Sequence, residues 1–409
     1  MSGTEQYPLY GSTYTLYRLS PLYHGQAPLL TETVLKTHAR RLRDLLRGDT
    51  LRGVHVGIVE SNPSNAGILE ECTWDLLGDE DSWAATHRQS LDEEDSQGPS
   101  IVPKVTTHDA RGIHIQIHYE KVTHTALLLR NPTTGFTTSG FTSLPLLLVR
   151  MPATSRDTFL HYLTINFDTC ISPMRLRSSF LTASLERLLV RADRTATESP
   201  QSLSSLVKAI QIQLSFPSVA PLLKNIDIAI ASEDVLDFVS RGKLLSDEQS
   251  SALSKDGPVN GPFTRALQAY LAQHLALALN HPGVEISKVA CGAFALSGDG
   301  KIKLFPPQPL SSSGSEDGDT HEPLSVSQLV MRDFYSALLR DAERRPLTVA
   351  DADFGKGAKR AVDLTDEVAA SKAKRQREQS LVDEVPLRPS VPADPPPPYE
   401  LHDPARRPV

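Results

Sequence analysis

The sequence predicts an α+β protein, its strands mainly antiparallel and its helices packed on them, with a disordered C-terminal tail. Three observations carry that prediction. Short runs alternate apolar and polar residues, as where Ile113, Ile115 and Ile117 enclose His114 and Gln116; this is the period of a half-buried strand. Other runs repeat every 3.6 residues, as Val34, Leu35, Leu42, Leu45 and Leu46 do, which is the period of a helix. The last 65 residues hold ten of the 30 prolines and only two aromatics, too little apolar surface to offset the entropy of ordering them.

Residues 1–69 form an N-terminal α/β segment. Leu9, Tyr10, Tyr14, Leu16, Tyr17 and Leu19 lie in an aromatic-rich extended stretch. Thr31–Arg47 reads as a helix, with Gly48 placed to end it in the left-handed conformation that glycine tolerates. Val54, Val56 and Ile58 alternate as a strand. Residues 70–110 read as an acidic flexible loop. Ten acidic residues fall between 70 and 100, among them Asp79-Glu80-Asp81 and Asp92-Glu93-Glu94-Asp95, and like-charge blocks are solvated loops or interaction arms.

Residues 111–345 form a C-terminal sheet region, either sharing one core with the first segment or making a second subdomain. Residues 113–118, Thr123–Arg130, Leu144–Arg150 and Tyr162–Phe167 are predicted strands, followed by a helix over Leu176–Arg191. Ile210, Ile212, Leu214 and Phe216 alternate, as do Ile226, Ile228 and Ile230. Ser232 is placed to cap a short helix. Pro262 suits the first position of a helix that runs to Leu279. Val289–Leu296 and Lys301–Phe305 flank Ser297-Gly-Asp-Gly, a hairpin turn signal. Ser325–Arg340 is the last helix, and residues 346–409 are the Pro-rich tail.

Composition narrows the function. The 42 basic and 49 acidic residues give a net charge of −7, which excludes a generally basic DNA coat but not a local basic patch. The three cysteines are far apart, with no CxxC pair, so a reducing compartment is expected. No apolar run approaches the roughly 20 residues of a membrane span, and the first residues lack the basic and apolar regions of a secretion signal. The chain is read as intracellular, soluble and without membrane contact. The Gly-Lys pairs at 242–243, 300–301 and 355–356 lack the rest of a phosphate-binding loop. There is no Gly-x-Ser-x-Gly elbow and no His-Glu-x-x-His pair. No catalytic residue, cofactor or metal is assigned.

Some clusters remain. His108, His114, His118 and His124 fall within 17 residues. His114 and His118 share a strand face about 13 Å apart at the usual rise, too far for one metal ion. They read as polar residues on a solvated face; a metal-dependent enzyme is the weakest rival reading. Lys36, Arg40, Arg43 and Arg47 lie within about 60° of one another on a helix, and Arg187 and Arg191 share a helix side. These six are the DNA-facing candidates, because such an array can track phosphates without reading sequence. A solvated face is the default for the stripe of Lys36, Arg40, Arg43 and Arg47, and salt bridges or solvation account for Arg187 and Arg191 equally well.

In the tail, Lys359-Arg360, an 11-residue spacer and then Lys372, Lys374, Arg375 and Arg377 have the layout of a bipartite nuclear import signal, a ligand for importin. Pro396, Pro397 and Tyr399 belong to a Pro-Pro-x-Tyr pattern that WW-type grooves accept. An adaptor recruited through that pattern, with no DNA contact, is the alternative function.

Several phrases resemble fungal members of the CENP-L family. They are YPLYGSTYTLYRLSPLYH at 7–24, HARRLRDLLRGDTLRGVHVG at 38–57, IHIQIHYEKVTHTALLLR at 113–130, LPLLLVRMP at 144–152, FLHYLTINFDTCISPMRLRSSFLTASLERLL at 159–189 and LLKNIDIAIASEDVLDFV at 222–239. The resemblance implies a non-enzymatic inner-kinetochore scaffold with curved, mainly antiparallel sheets. It implies pairing with a CENP-N-like subunit, contact with other inner-kinetochore subunits, and help in binding centromeric DNA or the CENP-A nucleosome. It also implies a nuclear, centromeric location. An open sheet edge would serve such pairing. The expected partner edge is the hairpin carrying Phe294, Leu296, Ile302, Leu304 and Phe305.

Overall fold

A computed structural model describes residues 6–47, 50–51, 54–55, 66–92, 105–132, 139–196, 207–217, 223–245, 258–306 and 326–343. The main sheet has eleven strands. In chain order these are β1 (Thr13–Leu19), β5 (Leu69–Leu77), β6 (Gly112–Tyr119), β7 (Thr123–Leu129), β9 (Leu146–Arg150), β10 (Ile171–Pro173), β11 (Ile210–Ser215), β12 (Asn225–Ile230), β13 (Glu285–Ala290), β14 (Phe294–Ser297) and β15 (Lys301–Leu304). Two small ribbons pair β2 (Leu22–Tyr23) with β8 (Phe141–Thr142), and β3 (Thr50–Leu51) with β4 (Val54–His55). The order across the main sheet is β12-β11-β13-β14-β15-β1-β9-β7-β6-β5, with β10 beside β1.

Strand β1 joins the two halves. Thr13, Tyr14 and Thr15 pair with Lys303, Ile302 and Lys301 on one side, and Thr15–Arg18 pair with Val149–Leu146 on the other. Beyond the end of β15, β10 takes over against Tyr17, Arg18 and Leu19. Every ladder of this sheet is antiparallel.

Alternation along the central strands divides the core in two. Tyr17, Leu147, Leu128 and Ile113 point to one face, where α1 (Glu32–Arg47) and α3 (Ala153–Phe167) bury Leu35, Leu42, Phe159, Leu163 and Phe167. Leu16, Leu148 and Leu127 point to the other. There α4 (Ser178–Ala196), α5 (Ser232–Leu244), α6 (Pro262–Leu275) and α7 (Val326–Glu343) cover the β11–β15 half. Each fully buried Leu, Ile or Phe contributes about 1.5–3 kcal/mol relative to exposure. The helices therefore change sides along one sheet.

Some elements depart from the sequence prediction. Tyr162–Phe167, predicted as a strand, is the second half of α3. Its Thr, Ile and Phe residues favour strands, but Phe159, Tyr162, Leu163 and Phe167 are buried at helical spacing. The helix ends at Asp168, which adopts the left-handed conformation at φ 46°.

The acidic stretch predicted as a loop contains β5 and α2 (Glu80–Asp92). In β5 the acids stand outward at Glu70, Glu71 and Asp75 while Cys72, Trp74 and Leu77 are buried. Asp79 caps α2 by accepting from the Ser82 amide at 2.9 Å. Residues 93–104 lie outside the described set. Val289–Leu296, predicted as one strand, is broken between β13 and β14. Ala231, not Ser232, is the cap residue of α5. The last predicted helix turn before Leu279 is absent because Ala276 turns left-handed at φ 51°.

Candidate partner-binding edge

The hairpin expected to be the partner edge lies inside the sheet. Strand β14 pairs with β13 and β15, and β15 pairs with β14 and β1. Phe294 is 0% exposed, Leu296 and Ile302 1%, and Leu304 2%. The Phe294 ring stacks on Phe334 of α7 with centroids 5.4 Å apart. These four are the chain's own core, which corrects their assignment to a partner. Phe305 is half-buried with the Lys303 ammonium 5.3 Å from its ring centroid.

The sheet ends on β5 and β12. The β5 end is occupied: α1 packs on the strand, and the Arg47 guanidinium donates to the carbonyls of Leu69 and Glu70, each at 2.7 Å. Charges at Glu70, Glu71 and Asp75 further disfavour edge pairing. The β12 end differs. Among the described residues, β11 alone pairs with it.

Ile226 and Ile228 face the helical layer beside Leu214 and Ile212, yet remain half-buried. Asn225, Asp227 and Ala229 are exposed. The apolar character continues onto the neighbouring helices. Phe238 of α5 and Tyr270 of α6 approach with ring centroids 5.9 Å apart. Tyr270 is 45% exposed, Leu275 50% and Leu244 79%. A strand could add to the β12 backbone while an apolar face covers Ile226 and Ile228. Sequence patterning identified β12 as a strand but did not identify it as the edge. Its usable signal was the polar Asn225 and Asp227 alternating with Ile226 and Ile228.

The basic candidates do not form one surface, because α1 and α4 pack on opposite faces of the sheet. Lys36 pairs with Glu32 at 2.7 Å, and Arg43 with Asp44 at 3.2 Å. Arg47 holds the β5 backbone, and Arg191 pairs with Asp333. Arg40 and Arg187 are exposed.

The histidines are not the solvated row that the sequence predicts. His114 is buried edge-on against Trp83, and His124 is buried against Tyr119. His118 meets the Thr123 hydroxyl at 3.2 Å, and His108 is exposed beside Asp109. Among the described residues no group of three His, Cys, Asp or Glu side chains is placed to hold a metal. The import residues Lys359, Arg360, Lys372, Lys374, Arg375 and Arg377, and the residues Pro396, Pro397 and Tyr399, lie outside the described set.

One histidine that the sequence reading passed over has a strong environment. His38 of α1 is 8% exposed, lies between Trp74 and Phe167, and meets the Tyr162 hydroxyl at 2.9 Å. Burial, reinforced by the nearby Arg41 charge, lowers its pKa to about 4. The unfolded chain binds this proton near pH 6.5. Stability from the neutral ring is therefore present above about pH 6.5 and is lost as pH falls toward 4. The full shift corresponds to about 3 kcal/mol. Urea midpoints at pH 7 and 4.5 should fall further in the natural chain than in His38→Phe; equal falls would remove His38 from acid unfolding.

An antiparallel sheet with helices on both faces, whose end strand β12 pairs on one side only among the described residues, defines an α+β protein. The family model of CENP-L, Centromere protein L, matches residues 8–343, and this chain belongs to the CENP-L family. That is a family of structural centromere proteins, located at the centromere and so in the nucleus. No curated protein matches the chain.

Proposed function

We propose that this chain is a non-enzymatic structural subunit of the inner kinetochore. It pairs with a CENP-N-like subunit through the free edge of β12 and the flank formed by α5 and α6. The pair joins other inner-kinetochore subunits in holding centromeric DNA or the CENP-A nucleosome and so supports chromosome segregation. The observation that carries this reading is the outer edge of β12, unpaired among the described residues, with its half-covered Ile226 and Ile228. Strand addition gives affinity through the backbone, and the adjoining apolar side chains select the partner. Arg40 and Arg187 are exposed and are suited to phosphate contacts that add affinity without sequence readout. Importin recognises the basic tail clusters.

The test is a chain carrying Ile226→Lys and Ile228→Lys, tagged at its own locus. Lysine on an edge strand opposes pairing, and its stem can lie along the half-covered surface with the ammonium in water. The variant should melt cooperatively, lose the CENP-N-like subunit on purification, and lose the compact nuclear focus of the natural chain. Undiminished co-purification would overturn the placement at β12.

A further inference from the structure

One step along from Leu127 and Leu148, the same face of the sheet turns polar. Arg150 of β9 lies directly opposite Thr125 of β7, and Thr125 lies opposite Gln116 of β6. Residues opposed in this way share a face, with Cβ atoms about 4.5–5.5 Å apart. Together with Ser12 and Trp83 of α2 they line a solvent-open cleft of about 210 Å³. That is room for a side chain, since a single water requires only about 10–15 Å³ by the same measure. Arg150 is exposed; its Nη1 donates to the Ser12 hydroxyl at 3.1 Å, and no described carboxylate pairs with it. Thr125 is 7% exposed, and among the described residues neither its hydroxyl nor the side-chain amide of Gln116 has a hydrogen-bond partner. The remaining wall is largely aromatic. Tyr7, Tyr10 and Tyr14 line it, and their hydroxyls already donate to the Gly78 carbonyl, the Glu80 carboxylate and the Pro8 carbonyl.

We propose that this cleft binds the carboxylate of an aspartate or glutamate side chain on a partner protein. A guanidinium has more N–H groups than Ser12 takes up, and a carboxylate accepts from two of them in parallel. The Thr125 hydroxyl and the Gln116 amide supply further donors to its remaining lone pairs. The aromatic wall gives the stem of the acidic side chain an apolar surface and keeps water from the ion pair, which strengthens it.

The charge of the cleft fits one carboxylate. Among the described residues that line it, Arg150 is the only arginine or lysine, and none is an aspartate or glutamate. One cation balances one negative charge, whereas a phosphomonoester carries nearly two. A duplex carries a charge about every 1.7 Å of its axis and needs a continuous basic track, which a single arginine does not make. The site lies on β6, β7 and β9, with β1, β15, β14, β13 and β11 between it and the β12 edge. It goes beyond the pairing proposed at β12 and stands or falls independently of it.

The test uses the full chain labelled with fluorotryptophan. The chain has two tryptophans, and the Trp83 signal is assigned by its loss in Trp83→Phe. Trp74 lies in the core on the opposite face, so its signal reports that the chain is folded. The probes are the capped peptide acetyl-Gly-Gly-Glu-Gly-Gly-amide, its twin with glutamine in place of glutamate, and a short DNA duplex. The glutamate peptide, titrated to tens of millimolar, should shift the Trp83 signal saturably and leave Trp74 unmoved, while the glutamine twin shifts neither. Arg150→Gln should weaken that binding by about tenfold or more, the usual worth of hydrogen bonds to a charged group. Arg156→Gln, on α3, should not. The two peptides on the natural chain decide the matter even if the Arg150 variant fails to fold. The proposal is overturned if the glutamate peptide produces no saturable shift, if the twin shifts Trp83 equally, or if a folded Arg150→Gln binds as the natural chain does. Displacement of the glutamate peptide by duplex at lower concentration would reassign the cleft to nucleic acid.

Discussion

Lysine in place of both Phe294 and Leu304 should leave no folded protein, instead of a folded protein that has lost its partner. Phe294 is wholly buried and Leu304 nearly so. Their strands are paired on both sides, and Phe294 stacks on Phe334. Removing the Phe294 side chain alone, as alanine, should cost about 3–5 kcal/mol. A typical domain has only about 5–15 kcal/mol in total. A lysine ammonium at either position adds the cost of desolvating an unpaired charge, several kcal/mol more. Phe294→Ala should therefore be recovered folded with a lowered denaturant midpoint. The double lysine variant should appear in the insoluble fraction or lack a cooperative melt. A soluble double variant with an unchanged melt would mean that β14 and β15 are not core strands.

The contrast between these positions and Ile226 and Ile228 shows what the sequence could reveal. Both strands were legible because isoleucine, leucine and phenylalanine alternate with polar residues. Alternation reports that one face is dry; it does not report how many neighbours a strand has. Strand order depends on long-range pairings such as Thr13 with Lys303 and Thr15 with Val149, which leave no local signature. The hairpin turn was legible because Gly300 adopts φ 83°, which favours glycine.

Composition hid β5. Its acids at Glu70, Glu71 and Asp75 are the outward positions of an edge strand, and counted together they resembled a loop. In α3, residue types suited to strands outweighed a helical spacing that packing then decided. The basic stripe on α1 was visible as a stripe, but whether an arginine faces solvent or a carbonyl is a tertiary matter, and Arg47 faces carbonyls. His124 was visible only as part of a histidine run, because its burial against Tyr119 follows from strand pairing that the run does not report.

Glu186→Ala should destabilise the chain by about 3 kcal/mol while Glu186→Gln costs less than about 1 kcal/mol at neutral pH, a difference set by orphaned amides. Glu186 lies on α4 at 6% exposure and caps a different helix. Its Oε1 accepts from the Thr264 amide and hydroxyl, each at 2.7 Å, and its Oε2 accepts from the Phe263 amide at 3.4 Å. Gly261, at the start of α6, has no side chain to do this. A Cβ there would collide with the Glu186 carboxyl, so the Glu186 cap requires glycine at 261.

Alanine leaves the first amides of α6 without partners and opens a cavity, whereas glutamine retains one carbonyl oxygen for Thr264. Burial raises the Glu186 pKa, with the Thr264 and Phe263 donors and Arg265 opposing. A carboxyl with a raised folded pKa stabilises the fold below its unfolded value, near pH 4.3, and loses that contribution as pH rises through the folded value. The natural chain should therefore lose stability relative to Glu186→Gln as pH is raised from 4 to 7. Comparing the two chains cancels the opposite slope from His38, which both retain. Guanidinium midpoints of both at several pH values decide the matter. A gap between them that widens in favour of the natural chain toward pH 7 would mean that the amides of α6 hold the carboxylate charged, against its burial.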